Sequence, residues 1–191
     1  MGSEMCIRDR AGSDARMNGC ELPVVINAGS GNQGMTCSLP VLEYADELQS
    51  GEEKTYRALV LSNLVAIHQK TGIGRLSAYC GAVSAGAAAG AGIAYLCGGG
   101  YEEVIHTVVN ALAIVSGMVC DGAKASCAAK IASSVDAGIL GYNMYLRGQQ
   151  FYAGDGIVTK GVEATIQNIG RLGKDGMKET NEEIIKMMIS D

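Results

Sequence analysis

Residues 76–97 read LSAYCGAVSAGAAAGAGIAYLC, a run of 22 residues without a charged side chain. The middle of the run is Ala and Gly, and Gly81, Ala85 and Ala89 follow one another at a spacing of four. Small residues at this spacing share a helix face and let another backbone approach closely. The run is long enough to span a bilayer, but Ala and Gly contribute little free energy of transfer into lipid. The pattern therefore favours a buried, closely packed helix over a membrane span.

The composition around this run predicts a mostly helical protein. The chain has 191 residues, of which 48% are hydrophobic, with 27 Gly but one Phe and no Trp. A disordered tail would be less apolar, and an aromatic-rich β-sandwich would carry more Phe and Trp. Turn and cap signals divide the sequence into six or seven helices, with LPVVIN at 22–27 as a short extended segment near the N-terminus. We expect one compact helical domain.

The charge and the cysteine content narrow the class of function. The formal net charge is −5, whereas proteins that grip nucleic acid through its phosphates are usually basic. We therefore expect a small-molecule substrate and neither nucleic acid nor membrane as a partner, while a homo-oligomer stays open. The seven cysteines are an odd number, and no apolar stretch of signal-peptide length opens the chain. Both features predict a cytoplasmic protein whose thiols serve a metal or catalysis rather than disulfides.

The first ten residues, MGSEMCIRDR, differ in character from the sequence that follows. MCIRDR resembles a leader segment that recurs as an artefact at the ends of assembled reads. We therefore interpret residues 1–10 as a non-native leader without a functional role, and residues 11–191 as the domain itself.

Three cysteines are the strongest candidates for chemistry. Cys80 precedes the Ala/Gly run, and Cys120 and Cys127 flank DGAKAS. Their spacing of seven is two turns of a continuous helix, which would put both thiols on one face; a break at Gly122 would leave them on a loop and the turn after it. Three thiolates with one open position suit an iron–sulfur cluster whose free iron is a Lewis acid; the alternative is three buried cysteines acting as small hydrophobes. Zinc is less suited, because the chain has no CxxC pattern and only two His.

The sequence GSGNQG at 29–34 is the second candidate element. Its glycines permit a tight turn, and a following helix N-terminus favours an anion such as an amino-acid carboxylate. The alternative is a tight turn between a strand and a helix with no ligand; no Gly-Lys-Ser/Thr follows, which disfavours nucleotide binding. Arg16 and Asn18, in DARMNG, could reach the same carboxylate. The alternative for Arg16 is a structural salt bridge with Asp14. The candidate substrate-binding residues are Ser30, Gly31, Asn32, Gln33, Gly34, Arg16 and Asn18.

Three blocks, NGCELPVVINAGSGNQG, AYCGAVSAGAAAGAG and GMVCDGAKASCAAK, resemble the C-terminal part of the serine dehydratase alpha-chain superfamily, and in particular its L-cysteine desulfidase-like branch. The resemblance covers nearly everything from about residue 11 to residue 191. It implies a [4Fe-4S] cluster held by Cys80, Cys120 and Cys127, and the short gap between the last two favours this branch over the L-serine dehydratases. The other cysteines, Cys20, Cys37 and Cys97, are interpreted as packing residues.

The resemblance implies a lyase that eliminates the β-substituent of a small L-amino acid, converting L-cysteine to pyruvate, ammonia and hydrogen sulfide. The alternatives are an L-serine dehydratase, or a non-catalytic iron–sulfur redox or regulatory module with Cys37 or Cys97 as fourth ligand. Members of the family carry a substantial N-terminal part that this chain lacks, and the residue proposed as catalytic base lies in that part. We therefore expect a fragment that holds the cluster site with an exposed apolar patch around it.

Overall fold

The computed structural model describes residues 2–190, with side chains described from residue 10 onward. Eight α-helices follow one another in this part of the chain. They are α1 (Gly2–Met17), α2 (Gly31–Glu47), α3 (Glu52–Ile73), α4 (Gly81–Leu96), α5 (Tyr101–Val115), α6 (Ser126–Leu146), α7 (Val162–Arg171) and α8 (Lys178–Ile189), with a π-helical turn at Leu172–Gly176. The described residues form no strand, only two isolated bridges, so the prediction of a mostly helical protein is confirmed.

The count of six or seven helices is wrong, and the additional helix is α1. Its sequence has no apolar period, so hydrophobic patterning could not reveal it. The helix packs on α2 and α6, where Ser13 is fully buried and Gly12 lies against Met35 and Leu39. It runs without a break across residue 10, and the non-native leader stays a prediction.

The extended segment predicted at 22–27 forms no strand, because no second strand lies beside it. Residues 20–26 are irregular and lead into a bridge between Asn27 and Ser30. The segment crosses the start of α2 so closely that a Cβ on Gly34 would lie 1.9 Å from the Val25 carbonyl oxygen. The first turn of α2 is therefore held in place by irregular backbone rather than by a sheet.

Helix α4 is the centre of the domain and packs against α2, α3, α5 and α6. Thirteen of its 16 residues are buried. A Cβ on Gly86 would lie 2.4 Å from the Ser134 carbonyl, and one on Gly90 would lie 2.8 Å from the Gly138 Cα. The predicted role of small residues in close helix packing is confirmed. Among the described residues, no helix combines the length and the apolar character that crossing a membrane requires.

Helices α4 and α6 run in the same direction. Gly86 meets Ser134, and Gly90, one turn later, meets Gly138, one turn later on the other helix. Because contacts advance together along both chains, both helix N-termini lie at the same end of the domain. This end carries the candidate site.

We expect Gly86→Ala to lower the free energy of unfolding by about 1–3 kcal/mol, because the added methyl must push the α6 backbone away. This loss would appear even though Ala is a better helix former than Gly by about 0.5–1 kcal/mol. Urea denaturation checks it, with Gly117→Ala as control, since a Cβ on Gly117 meets no heavy atom within 4 Å. Equal stability of the two variants would contradict the proposed close packing.

Candidate functional site

A backbone bridge sets two of the candidate cysteines side by side. Residues 78–80 pair antiparallel with residues 118–120 through the isolated bridge at their centres. The Cys80 N–H donates to a carbonyl of the 118–120 segment at 3.2 Å, and the Cys120 N–H donates to a carbonyl of the 78–80 segment at 2.6 Å. The two thiols therefore come together through non-local backbone hydrogen bonds, which sequence spacing alone could not specify.

The third thiol enters from the first turn of α6. The chain turns at Gly122, whose φ of +97° is in the left-handed region that glycine tolerates best. The Cys127 thiol donates to the Gly122 carbonyl at 3.5 Å. Of the two arrangements considered for Cys120 and Cys127, the loop followed by a helical turn is the one found, and the continuous helix is not.

All three thiols line one cavity of about 260 Å³, together with the turn at the start of α2. The lining combines two motifs that lie far apart in the sequence. Its polar members are Ser30, Asn32, Gln33, Lys70, Arg75, Ser77, Tyr79, Cys80, Cys120, Cys127 and Lys130. The structure thus brings the candidate cluster ligands and part of the candidate substrate-binding set to the same place.

The GSGNQG sequence forms a tight turn followed by a helix cap. Ala28 and Gly29 have φ of +49° and +86°, and the bridge across them is closed by two hydrogen bonds between Asn27 and Ser30, of 3.0 and 3.1 Å. The Ser30 hydroxyl accepts from the Gln33 N–H at 3.4 Å and so caps α2. The start of α2 lines the cavity through Ser30, Asn32 and Gln33, and the first N–H groups of a helix have no backbone partner within it.

Two glycines of this sequence do not line the cavity. Gly31 and Gly34 are buried, and a Cβ on Gly31 would lie 2.4 Å from the Val24 side chain and 2.9 Å from the Arg16 guanidinium. Their role in the structure is therefore to let neighbouring chain pack against the first turn of α2, and a direct contact with a ligand in the cavity stays without support.

Arg16 and Asn18 also lie outside the cavity lining. Arg16 Nη1 donates to Asn32 Oδ1 at 2.8 Å, so it can act on the cavity only by orienting the Asn32 amide. Asn18 is exposed and donates to the carbonyl and the carboxylate of Asp14, at 2.8 and 3.2 Å. These contacts cap the end of α1, and they give Asn18 no access to a ligand in the cavity.

Three helix N-termini meet at the cavity. Ser30 caps α2, Cys80 is the N-cap of α4, and Cys127 is the second residue of α6. Each N-terminus carries about half an elementary positive charge from the aligned peptide dipoles. The arrangement therefore favours negative charge in the cavity, whether as thiolate or as carboxylate.

Burial raises the pKa of the Cys80 thiol, and the neighbouring thiolates of Cys120 and Cys127 raise it further. The Ala82 N–H and the Lys130 ammonium oppose this by stabilising the thiolate. Cys80 is therefore held as a neutral thiol at neutral pH. A metal group bound here would have to displace its proton.

Lys70 is a residue that sequence reasoning missed. It is only 7% exposed, and burial lowers the pKa of its ammonium group, against the opposing effect of Cys120 and Cys80. The available signal was its register: Lys70 continues the i, i+4 row of Ala58 and Ala66 on the buried face of α3. A charged side chain in a row of buried residues indicates a functional site rather than a solvated surface.

Lys130 is the second lysine that was missed. Its ammonium contacts the Asp121 carboxylate and donates to the Val119 carbonyl at 3.0 Å. Burial alone would lower its pKa, but Asp121 outweighs it and the net direction is upward. Lys124, 2.7 Å from the same carboxylate, together with Lys130 lowers the pKa of Asp121 to about 2. One carboxylate that contacts two ammonium groups thus stabilises the 120–127 loop.

Two polar side chains of the cavity lining have buried atoms without a partner. Gln33 Oε1 and the Tyr79 hydroxyl make no hydrogen bond to any residue that the structure describes. Buried polar atoms in folded proteins are nearly always satisfied. Their orphaned state at the cavity supports a bound ligand that supplies the missing donors and acceptors.

Metal-ligand chemistry at the cavity rests on the three cysteines. Among the side chains described, from residue 10 to residue 190, no group of three His, Cys, Asp or Glu is close enough to hold one metal ion. The three cysteines line one cavity, and cysteine thiolates are the ligands that hold iron–sulfur groups. Cys20, Cys37 and Cys97 are not among the lining residues. Cys37 is a core residue, as predicted, but Cys20 and Cys97 are exposed, so their interpretation as packing residues is wrong.

The chain is similar in sequence to known proteins. Residues 4–186 match the family model of the serine dehydratase alpha chain. A UPF0597 protein of Desulfitobacterium hafniense is 70% identical over 99% of this chain and 45% of its own length. UPF0597 proteins of Lachnoclostridium phytofermentans and Treponema denticola are 59% and 55% identical, over 99% and 95% of this chain and 46% and 42% of theirs. The chain spans a little under half the length of these relatives, and no solved structure matches it.

We expect Lys70→Met to raise the free energy of unfolding of the apo chain by about 1–3 kcal/mol, because it removes a buried charge for which the described residues provide no carboxylate. The size of this gain depends on pH. A lowered pKa makes Lys70 destabilising while it is charged, so the gain is full below its folded-state pKa and vanishes as the pH rises towards 10.5.

Thermal denaturation at several pH values measures this, with Lys54→Met on the exposed face of the same helix as control. The control should stay within about 0.5 kcal/mol of the unmodified chain. A destabilised Lys70→Met chain at neutral pH would show that Lys70 has a stabilising partner.

Proposed function

The chain belongs to the serine dehydratase alpha chain family, and from this premise we propose that it carries the iron–sulfur site of a lyase acting on a small L-amino acid. The proposed reaction of the whole protein is β-elimination on L-cysteine, which with one water gives pyruvate, ammonia and hydrogen sulfide. L-serine is the alternative substrate. The observation that carries the proposal is the cavity that collects three thiols and an anion-favouring helix N-terminus.

In this proposal Cys80, Cys120 and Cys127 hold a [4Fe-4S] cluster. When bound, the cluster supplies a Lewis acid at the iron that no protein thiolate occupies. Lys70 and Lys130 line the same cavity and offset the negative charge of the thiolates. The two lysines thereby reduce the free energy needed to deprotonate three neighbouring thiols inside the protein.

The substrate's carboxylate is proposed to bind at the first turn of α2. The free N–H groups and the Ser30 hydroxyl are donors there, and Asn32, held by Arg16, contributes its amide. The unpartnered Gln33 Oε1 is a suitable acceptor for the ammonium group of an amino acid. A zwitterionic substrate would thus satisfy the groups that are orphaned in the free protein.

The proton at the substrate's α-carbon needs a base. Among the described residues lining the cavity, none is His, Asp or Glu. We therefore keep the proposal that the base comes from the part of the family that this chain does not span. Abstraction of the α proton and departure of the sulfur substituent leave aminoacrylate, whose imine form reacts with water to release ammonia and pyruvate.

The redox or regulatory module finds no comparable support. It requires a fourth protein ligand, and the candidates were Cys37 and Cys97. Cys37 is fully buried in a separate core cluster with Ala66, Ala85 and Ala88, and Cys97 follows the far end of α4 from Cys80. Neither is among the residues lining the cavity. An open iron position, as catalysis requires, agrees better with this arrangement.

We expect the chain to incorporate one [4Fe-4S] cluster on anaerobic reconstitution, and Cys80→Ala, Cys120→Ala or Cys127→Ala to abolish stable incorporation. Iron and acid-labile sulfide per chain measure it, together with the visible absorption of the cluster. Cys20→Ala, at an exposed thiol outside the cavity, is the control and should retain full iron. Full iron and sulfide in all three ligand variants would refute the assignment.

We also expect the reconstituted chain alone to release sulfide and pyruvate from L-cysteine about 10² to 10⁴ times more slowly than a full-length relative, the usual effect of losing a general base. Parallel assays with L-serine, scored by pyruvate, identify the preferred leaving group. Equal rates for the chain and the full-length protein would place the base within this chain.

A further inference from the structure

An unpartnered apolar stripe runs along α3. Its members are large side chains at helical spacings of four, four and three, which places them on one face. They are Tyr56, Val60, Leu64 and Ile67, exposed by 58, 57, 59 and 46%. The opposite face of α3, which includes Ala58 and Ala66, is buried. Helix α3 therefore has one face packed in the core and an opposite, apolar face that has no partner in the described structure.

The stripe borders a groove of about 960 Å³. The far wall of the groove is formed by the end of α4 and the start of α5, with Tyr95, Tyr101 and Val104. Charged side chains are confined to the first turns of α3, at Glu52, Glu53 and Arg57. An apolar floor with charge at the margin is the pattern of a protein–protein contact surface.

The apolar surface continues from the stripe to the mouth of the three-cysteine cavity. Ile67 and Ile26 line a second depression of about 660 Å³, which shares Lys70 and Arg75 with the cavity. Leu76, which also lines the cavity, is 94% exposed. The apolar patch expected around the candidate site is present, and it is continuous with α3.

We infer that the face formed by the α3 stripe and the cavity mouth, from Tyr56 to Leu76, is the docking surface for the polypeptide that makes up the rest of the full-length relatives. In the Desulfitobacterium relative, this fold accounts for 45% of the length, so a polypeptide of greater length accompanies it. A body of that size needs a large contact area, and the apolar face of α3 reaches the rim of the cavity.

The charged residues on this face predict the charges of the polypeptide that binds to it. One end of the groove is acidic through Glu52 and Glu53, and the cavity end is basic through Lys70 and Arg75. The docked polypeptide should therefore carry apolar side chains between a basic end and an acidic end. Seated in this way, it would close the cavity mouth and exclude water from it.

This inference deepens the proposed function, because closure serves chemistry in the cavity, but docking is measurable without turnover. The first experiment compares hydroxyl-radical labelling of the α3 side chains in this chain with labelling at the aligned positions of the full-length Desulfitobacterium protein, each scaled to its unfolded peptide. We expect labelling along the stripe to fall by about threefold or more in the full-length protein, because those side chains leave the solvent. The exposed Leu140 of α6 is the internal control and should be labelled equally in both.

The second experiment places aspartate at Val60 and Leu64 of this chain and at the aligned positions of the full-length protein. The change should lower the melting temperature of the full-length protein and leave that of this chain unaltered, since here both side chains already face solvent. Aspartate at Leu140 is the matched control and should affect both proteins alike.

Equal labelling of the stripe in the two proteins would overturn the inference, as would equal effects of the aspartates. Concentration-dependent protection of the stripe in this chain alone would also overturn it, because a second copy would then be the occupant. If no cluster forms but the stripe is protected in the full-length protein, the proposed function fails and the docking surface stands.

Discussion

The contact between the backbones of α4 and α6 is the constraint on which the rest of the site depends. Gly86 and Gly90 on one helix and Gly138 on the other bring the two helices closer than any side chain would allow. Because the helices are parallel, fixing their crossing also fixes the separation of their N-termini. Cys80 lies six residues before Gly86, and Cys127 lies seven before Ser134, so each is about 10 Å from the crossing along its helix. The close contact between these glycines therefore sets the distance between two thiols.

The same geometry gives the cavity its electrostatic character. The parallel arrangement points two helix dipoles at one place, and the capped start of α2 adds a third. Two lysines reach this region from α3 and α6. Burial disfavours the charged form of Lys70, as the lowered pKa of its ammonium group indicates. An anionic group bound in the cavity offsets this effect of burial.

Much of the fold could be predicted from the sequence, because the dominant signals are local. The Ala/Gly run specified a buried helix, and the three cysteines and GSGNQG were recognisable as motifs. The details that the sequence does not specify depend on contacts between distant parts of the chain. Helix α4 begins at Gly81 rather than at the start of the uncharged run, since residues 78–80 pair with 118–120. The contacts of Arg16 with Asn32 and of Asn18 with Asp14 are set by the position of the end of α1, which the motif does not specify.

The bridge between residues 78–80 and 118–120 also has a consequence for the order in which the protein matures. The segments that carry Cys80 and Cys120 are separated in the sequence by α4 and α5, and their backbone hydrogen bonds form only in the folded chain. The cavity therefore does not exist in the unfolded chain, and whatever fills it binds the folded state alone. Such a ligand stabilises the fold by mass action, to an extent that grows with its concentration.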